Sequence, residues 1–428
     1  MRRIDRRDFL KTTGGAILGT WASGALGPAP ACAGPDAGAD AETPTLVVLY
    51  LRGGADPLGM VIPYADPLFY DLRPTISVGR PDQEDGCLPI APGFGLHPAM
   101  KSLHALYEKG LFAPIVSVGS SHPTRSHFDA QDFMEYAAPG VRSITEGWLN
   151  RYLSATSEGK KKEVELRALA AQPLLPRSLR GAFPVLAVPE ERAMGAMDAF
   201  EEVYCGGANP GPGMDARREA DKDSKILAAG NNTIRKLRFL QKILATAEGT
   251  HAEVEYPQGP LGRQFQGIAQ VIKANCGLEV AAVDYNGWDQ HANAGSTDGQ
   301  MARMLAQVSE SIAAFVRDLG AERMRKVLVL TMSEFGRTVK ENGNNGSDHG
   351  HGGIMLAVGG PVKGGKVYGK WTGLEASTLW EGRDLPVHTD FRLVFAEVLR
   401  SFLGFARTDA FFPDWKPASA PLGFLKKA

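Results

Sequence analysis

Five short runs of this chain are apolar at nearly every position instead of every second one: Thr45–Leu51, Phe112–Val118, Leu278–Val283, Lys326–Thr331 and Ile354–Val358. A strand with apolar, β-branched side chains on both sides must be covered on both sides, as in a parallel sheet between two layers of helices. Between the runs the spacing changes. Pro98–Leu106 and Gln300–Leu319 follow the period of an amphipathic helix, and Phe391–Phe402 reads as a further helix. Strands alternating with helices imply right-handed crossovers, so the pattern predicts an α/β fold of three layers, α/β/α, with a mostly parallel central sheet.

The texture differs between about residue 158 and about residue 262, where charge-rich helical stretches flank the Gly/Pro-rich segment Cys205–Gly213. This stretch reads as a helical cap or insertion over the sheet, with Arg217–Ala247 a helix broken near Gly230 whose charges form a solvated face. There is no repeat at a fixed period. One large α/β domain over residues 44–428, preceded by a linker at 34–43, accounts for the organisation.

Residues 1–33 carry a different signal. Asp5-Arg6-Arg7-Asp8-Phe9-Leu10-Lys11 precedes a Gly/Ala-rich stretch, Gly14–Leu26, and then the small residues Ala29, Ala31 and Ala33. The order resembles a twin-arginine export signal, which implies the twin-arginine translocase as a partner, export of a folded chain and a periplasmic or secreted location. Gly14–Leu26 is shorter than the roughly 20 apolar residues of a spanning helix. Membrane attachment would therefore need a lipid on Cys32, whose preceding Ala-Pro-Ala lacks the usual Leu. With Cys32 removed or lipidated, Cys87, Cys205 and Cys276 remain, an odd number with no CxxC pair. The cysteines build no metal site, and they leave room for one disulfide of unspecified pairing. Charges nearly cancel, 47 Lys and Arg against 48 Asp and Glu, and no basic block is interleaved with aromatics. That excludes the footprint of a nucleic-acid partner.

In open α/β sheets, ligands collect outside the carboxyl ends of the strands, and metal-type residues stand at those places here. Asp56 follows the first run, Asp289 and His291 follow Val283, and Glu334 follows Thr331; Asp348-His349-Gly350-His351 comes next, and His388 and Asp390 precede the last helix. Carboxylate oxygens and neutral imidazoles suit one or two divalent ions, zinc foremost, with magnesium, manganese or calcium as alternatives. Gly350, Gly352 and Gly353 let the backbone fold round an ion. Taken singly, each residue also has an ordinary role: Asp56 and Asp289 as turn formers or caps, Glu334 as a surface partner of Arg337, His388 as a loop histidine with local partners. Ser126, within Arg125-Ser126-His127-Phe128-Asp129, has two readings. It is an N-cap with Asp129 as its capping-box partner, or a nucleophile at a helix N-terminus, with Arg125 holding an anionic substrate and His127 alongside.

The order of these elements resembles the alkaline phosphatase superfamily of phosphatases, phosphodiesterases and sulfatases. More closely, Leu51–Asp56, Thr124–Asp129, Gly287–His291, Ser333–Thr338 and Asp348–Gly353 resemble the exported family known as domain of unknown function 1501, over nearly all of the mature chain. The superfamily resemblance implies one metal held by Asp289, His291 and His388 and a second by Asp56, Asp348 and His349. Ser126 would bridge toward the substrate, Glu334 would be an extra ligand or orienter, and His351 would orient. The chain departs from that pattern at three places. One residue separates Asp289 from His291, where the superfamily's phosphatases have three, which makes Asp284 a rival ligand. Glu334–Ser347 intervenes before Asp348; this loop, with Asn342, Asn344 and Asn345, is either a substrate lip or the mark of a rearranged metal cluster. Ser126 is followed by His127-Phe128, unlike the Cys/Ser-x-Pro-x-Arg pattern of aldehyde-forming sulfatases.

The expected function is an exported, metal-dependent hydrolase of phosphate or sulfate esters, small or polymeric, with Ser126 or a metal-bound hydroxide as nucleophile. The alternative is a non-catalytic, metal-stabilised exported binding or assembly protein. A metal-independent serine hydrolase would lack its Gly-x-Ser-x-Gly elbow and leave Asp348-His349 unexplained.

Overall fold

The computed structural model describes residues 43–157, 166–188, 233–240, 243, 254–408, 411–417 and 419–426. The expected export segment lies outside them. The strands are β1 (Thr45–Arg52), β2 (Val61–Ile62), β3 (Leu88–Ala91), β4 (Phe94–Leu96), β5 (Phe112–Gly119), β6 (Ala168–Ala170), β7 (Leu186–Ala187), β8 (Val280–Asn286), β9 (Val327–Met332), β10 (Gly353–Gly359) and β11 (Thr389–Asp390). Eight of them form one sheet in the order β11-β5-β10-β9-β1-β8-β6-β7, and β2, β4 and β3 form a small antiparallel sheet. Within the large sheet, β10 runs antiparallel to both neighbours and every other pairing is parallel. The fold is α/β with a mostly parallel central sheet, as the continuous apolar runs predict.

The reason for those runs is visible along β1, whose successive side chains point to opposite faces. Val47, Leu49 and Leu51 join Phe265, Ile268, Leu305 and Ile312 from the helices Pro260–Lys273 and Gly299–Met324. Leu46, Val48 and Tyr50 join Trp148, Val394 and Phe395 from the helices Trp148–Ala155 and Phe391–Glu397. Each aliphatic side chain so covered contributes about 1.5–3 kcal/mol.

Part of the stretch expected as a cap is sheet. Residues 166–188 carry β6 and β7, which extend the parallel edge beyond β8. A buried ion pair ties them in: Arg167 donates through Nε and Nη2 to the two Glu279 oxygens at 2.7 and 2.8 Å, and Tyr152 Oη donates to Glu279 at 3.1 Å. Of the helix expected over 217–247, residues 233–240 and 243 are described and are helical. The rest of that helix and the segment 189–232 lie outside the described residues. Cys87 and Cys276 are buried, and Cys205 lies outside the described residues. Among the described residues no helix is long and apolar enough to cross a membrane.

Strand direction fixes where chemistry can gather. β1, β5, β8 and β9 all run the same way, so their carboxyl ends share one edge of the sheet, and antiparallel β10 begins at that edge. The segments following those four strands and the segment leading into β10 therefore meet.

Replacing Arg167 by Leu leaves the Glu279 charge buried without its guanidinium, a loss expected to cost about 3–5 kcal/mol. The drop should appear in the denaturant unfolding midpoint and be largely recovered when Glu279→Leu is added. An unchanged midpoint in the single variant would count against the pair.

Candidate metal centre

Three histidines and one carboxylate converge at the shared edge. His127 opens the helix His127–Tyr136 that follows β5, Asp289 and His291 lie in the turn after β8, and His349 lies in the loop before β10. His349 Nε2 is 3.1 Å from Asp289 Oδ1 and 3.0 Å from His291 Nε2. His291 Nε2 is 3.0 Å from Asp289 Oδ1, and His127 Nε2 is 3.4 Å from Asp289 Oδ2. His127, Asp289 and His349 each bring a ligand atom to within 4.8 Å of the others'.

The other ring nitrogens decide the protonation. His127 Nδ1 donates to Glu334 Oε1 at 2.8 Å, His291 Nδ1 to Asp348 Oδ1 at 2.9 Å, and His349 Nδ1 to the Arg125 carbonyl at 2.8 Å. All three partners only accept, so each Nδ1 carries a proton and each Nε2 of a neutral ring offers a lone pair. Three lone pairs and a carboxylate then face one another, and Arg337 donates to the carboxylate from behind. His127 Nε2 is buried and, at 3.4 Å from Asp289 Oδ2, lacks a well-formed hydrogen bond. A cation resolves this, and His127, Asp289 and His349, whose ligand atoms lie within 4.8 Å of one another, are placed to hold it, in a shell with bonds of about 2.0–2.1 Å. Imidazoles tethered through the far nitrogen to carboxylate or carbonyl are also the usual outer shell of a metal site.

Charge is arranged to keep the carboxylates ionised. Burial pushes the Asp289 carboxyl up, but the hydrogen bond and charge of Arg337, with the His349 and His291 rings alongside, outweigh it and hold the group at about 2. Arg337 is itself 1% exposed. Its Nε donates to Gly54 O at 2.6 Å, Nη1 to Ser347 O at 2.9 Å, and Nη2 to Asp289 Oδ1 at 2.6 Å, Trp288 O at 2.9 Å and Gly53 O. Glu334, buried against β1, accepts from the Gly53 N–H at 2.9 Å and Gln131 Nε2 at 3.0 Å as well as from His127. Burial raises its pKa and these donors lower it further than that, so it stays charged and in turn raises that of His127. His349 moves the other way, lowered mainly by burial. Gly53 is needed where it stands: its φ is +122°, and a Cβ there would lie 2.5 Å from the Asp289 nitrogen.

Several sequence expectations land elsewhere. Asp56 caps the helix Pro57–Met60 and forms a two-point pair with buried Arg73 at 2.5 and 3.0 Å. His388 is exposed, with Nε2 3.2 Å from Thr372 Oγ1. The two three-residue sets implied by the superfamily are thus not assembled; Asp289, His291 and His349 share one centre instead. Asp348 holds His291. Glu334 holds His127 and is neither exposed nor a partner of Arg337. Asp284 faces away, paired with Arg52 at 2.7 Å and Gln172 at 2.8 Å. His351 is buried, its ring 4.8 Å from that of Trp380. The Arg125 guanidinium is held by Asp384 and Glu381, each at 2.7 Å, and what Arg125 gives the site is its carbonyl. Ser126 occupies the N-cap position, but its exposed hydroxyl makes no capping bond. The Asn-rich loop is a prop: Asn342 donates to His291 O at 2.9 Å and Asp348 Oδ1 at 3.0 Å, and the carbonyls of Asn344 and Asn345 accept from Asn293 and Ala294. The sequence reading missed the supporting roles of Arg337, Gln131, Asn342 and Arg73. A charged residue two positions after Phe335, inside an otherwise buried stretch, was the available signal for Arg337.

The family described as "Protein of unknown function (DUF1501)" matches residues 44–397. The chain belongs to that family. No curated protein matches it. Among solved structures, the PsFucS1 sulfatase from Pseudoalteromonas sp. aligns at 10% identity over 90% of this chain and 72% of its own, with a TM-score of 0.38. The zinc complex of the C-terminal periplasmic domain of EcEptC from Escherichia coli aligns at 10% identity over 75% and 74%, TM-score 0.33. The phosphonate monoester hydrolase of Agrobacterium radiobacter aligns at 11% identity over 77% and 71%, TM-score 0.25. Scores this low carry no weight for the chemistry of this chain.

Glu334→Gln should weaken the affinity for added divalent metal by about 10–100-fold, measured by competition with a chromogenic chelator while circular dichroism reports an intact fold. Unchanged affinity would mean that the Glu334 to His127 bond does not serve a metal.

Proposed function

We propose that this protein is an exported, metal-dependent hydrolase of phosphate or sulfate esters, built round a single divalent ion. The observation that carries the reading is the convergence of the His127, His291 and His349 Nε2 lone pairs on Asp289. Three imidazoles and one carboxylate favour zinc over magnesium or calcium, which prefer all-oxygen shells. Bound there, the ion would supply Lewis acidity toward the ester and toward a nucleophile. The ester class rests on the order of motifs shared with the alkaline phosphatase superfamily.

The chain's own residues prepare the site. Glu334, Asp348 and the Arg125 carbonyl fix the three rings, and Arg337 fixes Asp289. Ser126 stands immediately before His127 with its hydroxyl uncapped, where the N–H groups of the following helix favour a developing alkoxide. Ser126 is the nucleophile in this reading, and water is the alternative.

Protein purified from its exported state should contain about one equivalent of zinc and hydrolyse aryl phosphate or sulfate esters until chelated. His349→Ala should lose both metal and turnover. Ser126→Ala should keep the metal and lose about 100-fold or more in kcat; a near-normal kcat would assign the attack to water. Metal with no turnover on any ester would favour a metal-stabilised binding protein.

The export reading rests on Arg6-Arg7 and the short apolar stretch after it. Changing both arginines to lysine should leave the chain in the cytoplasm, seen by fractionation. Normal export of that variant would remove the twin-arginine route.

A further inference from the structure

Resting on the hydrolase reading, we propose that the centre selects esters bearing one negative charge, phosphodiesters or sulfate monoesters, over dianionic phosphate monoesters. The carboxylates of Asp289, Asp348 and Glu334 touch the imidazoles, and Arg337 is the guanidinium paired with Asp289. Two negative charges remain, which one divalent ion cancels. Arg337 has nothing further to offer, because its Nε, Nη1 and Nη2 all face protein acceptors and the side chain is buried.

Four further guanidiniums of the surrounding segments are answered as well. Arg73 pairs with Asp56, and Arg383 with Asp384. Arg52 lies between Glu135 and Asp284, two carboxylates for one guanidinium. Arg125 is the telling case. Its carbonyl touches His349, so it is adjacent to the centre, yet buried Asp384 and exposed Glu381 hold its side chain. Among the described residues, then, these guanidiniums leave a second substrate charge unopposed. An ion-bearing centre that is close to neutral overall accommodates a monoanion more readily than a dianion, since each added charge meets the same surrounding carboxylates at short range.

Glu381 is the residue through which this preference can be moved. It is exposed, it lies outside the set of donors and their tethers, and its carboxylate is one of the two that engage Arg125. Glu381→Gln removes a charge and loosens Arg125 without touching buried Asp384.

The test is calorimetric binding of non-hydrolysed anions to the full zinc-loaded chain at pH 8, with the metal-free chain as control. Dimethylphosphinate and methanesulfonate, which have no ester bond, are the monoanions; inorganic phosphate and inorganic sulfate are the dianions. The monoanions should bind at least tenfold tighter, and bis(4-nitrophenyl) phosphate and 4-nitrophenyl sulfate should turn over faster than 4-nitrophenyl phosphate. Glu381→Gln should narrow the binding gap by about threefold, the scale of an exposed ion pair. Dianions bound as tightly as monoanions, or a gap unmoved in Glu381→Gln, would overturn the charge selection while leaving the hydrolase reading intact. Binding in the predicted order with no turnover would overturn the hydrolase reading and keep the selection, and failure to take up zinc would remove both.

Discussion

A guanidinium taken out of water must have its N–H groups bonded or the fold loses several kcal/mol. Arg337 meets that condition with acceptors drawn from separate loops: Gly53 and Gly54 after β1, Trp288 and Asp289 after β8, and Ser347 ahead of β10. Satisfying this one charge therefore locks together the segments that carry the candidate ligands. The glycines follow from the same demand. At Gly54 φ is +71° and a Cβ would lie 2.6 Å from the Phe335 ring, so no larger residue lets the carbonyl approach the guanidinium.

The imidazoles obey a parallel rule. Each is tethered through Nδ1 to an acceptor, which fixes ring orientation and tautomer before any ion arrives. Orientation is thus set by folding, and a bound ion need not order its own ligands. The tethers reach back into the scaffold. Glu334 also accepts from the Gly53 N–H and from Gln131, and Gln131 accepts from Arg52, which is paired with Glu135. A chain of bonds so connects the centre to the end of β1 and to the helix that begins with His127.

The arrangement also bears on the number of ions. The superfamily resemblance implies two, but the residues for a second are committed elsewhere: Asp56 to Arg73, His388 to Thr372, and Asp348 to His291. Compared with that pattern, the three imidazoles are gathered round Asp289, and the Asn-rich loop before Asp348 supports His291 and Asp348 from behind. The shortened Asp289 to His291 spacing fits this, since both residues turn toward the same place.

The strands were legible in the sequence because a side chain on a strand covered on both faces has to be apolar at every position, and β1, β5, β9 and β10 show that directly. Asp289, His291 and His349 were legible as candidate ligands, though in two separate sets, because residue type and placement after strands point to a ligand site. What each polar residue does was not legible. Glu279 interrupts an apolar run and is explained by Arg167, more than a hundred positions away; β6 and β7 sit in a stretch whose composition suggests a cap; Arg125 looks like an anion clamp until Asp384 and Glu381 are seen to hold it. The physical reason is common to all three. Burial demands are local and leave a periodic trace in the chain, whereas the partner that neutralises a charge is chosen by three-dimensional proximity, which only the tertiary structure decides.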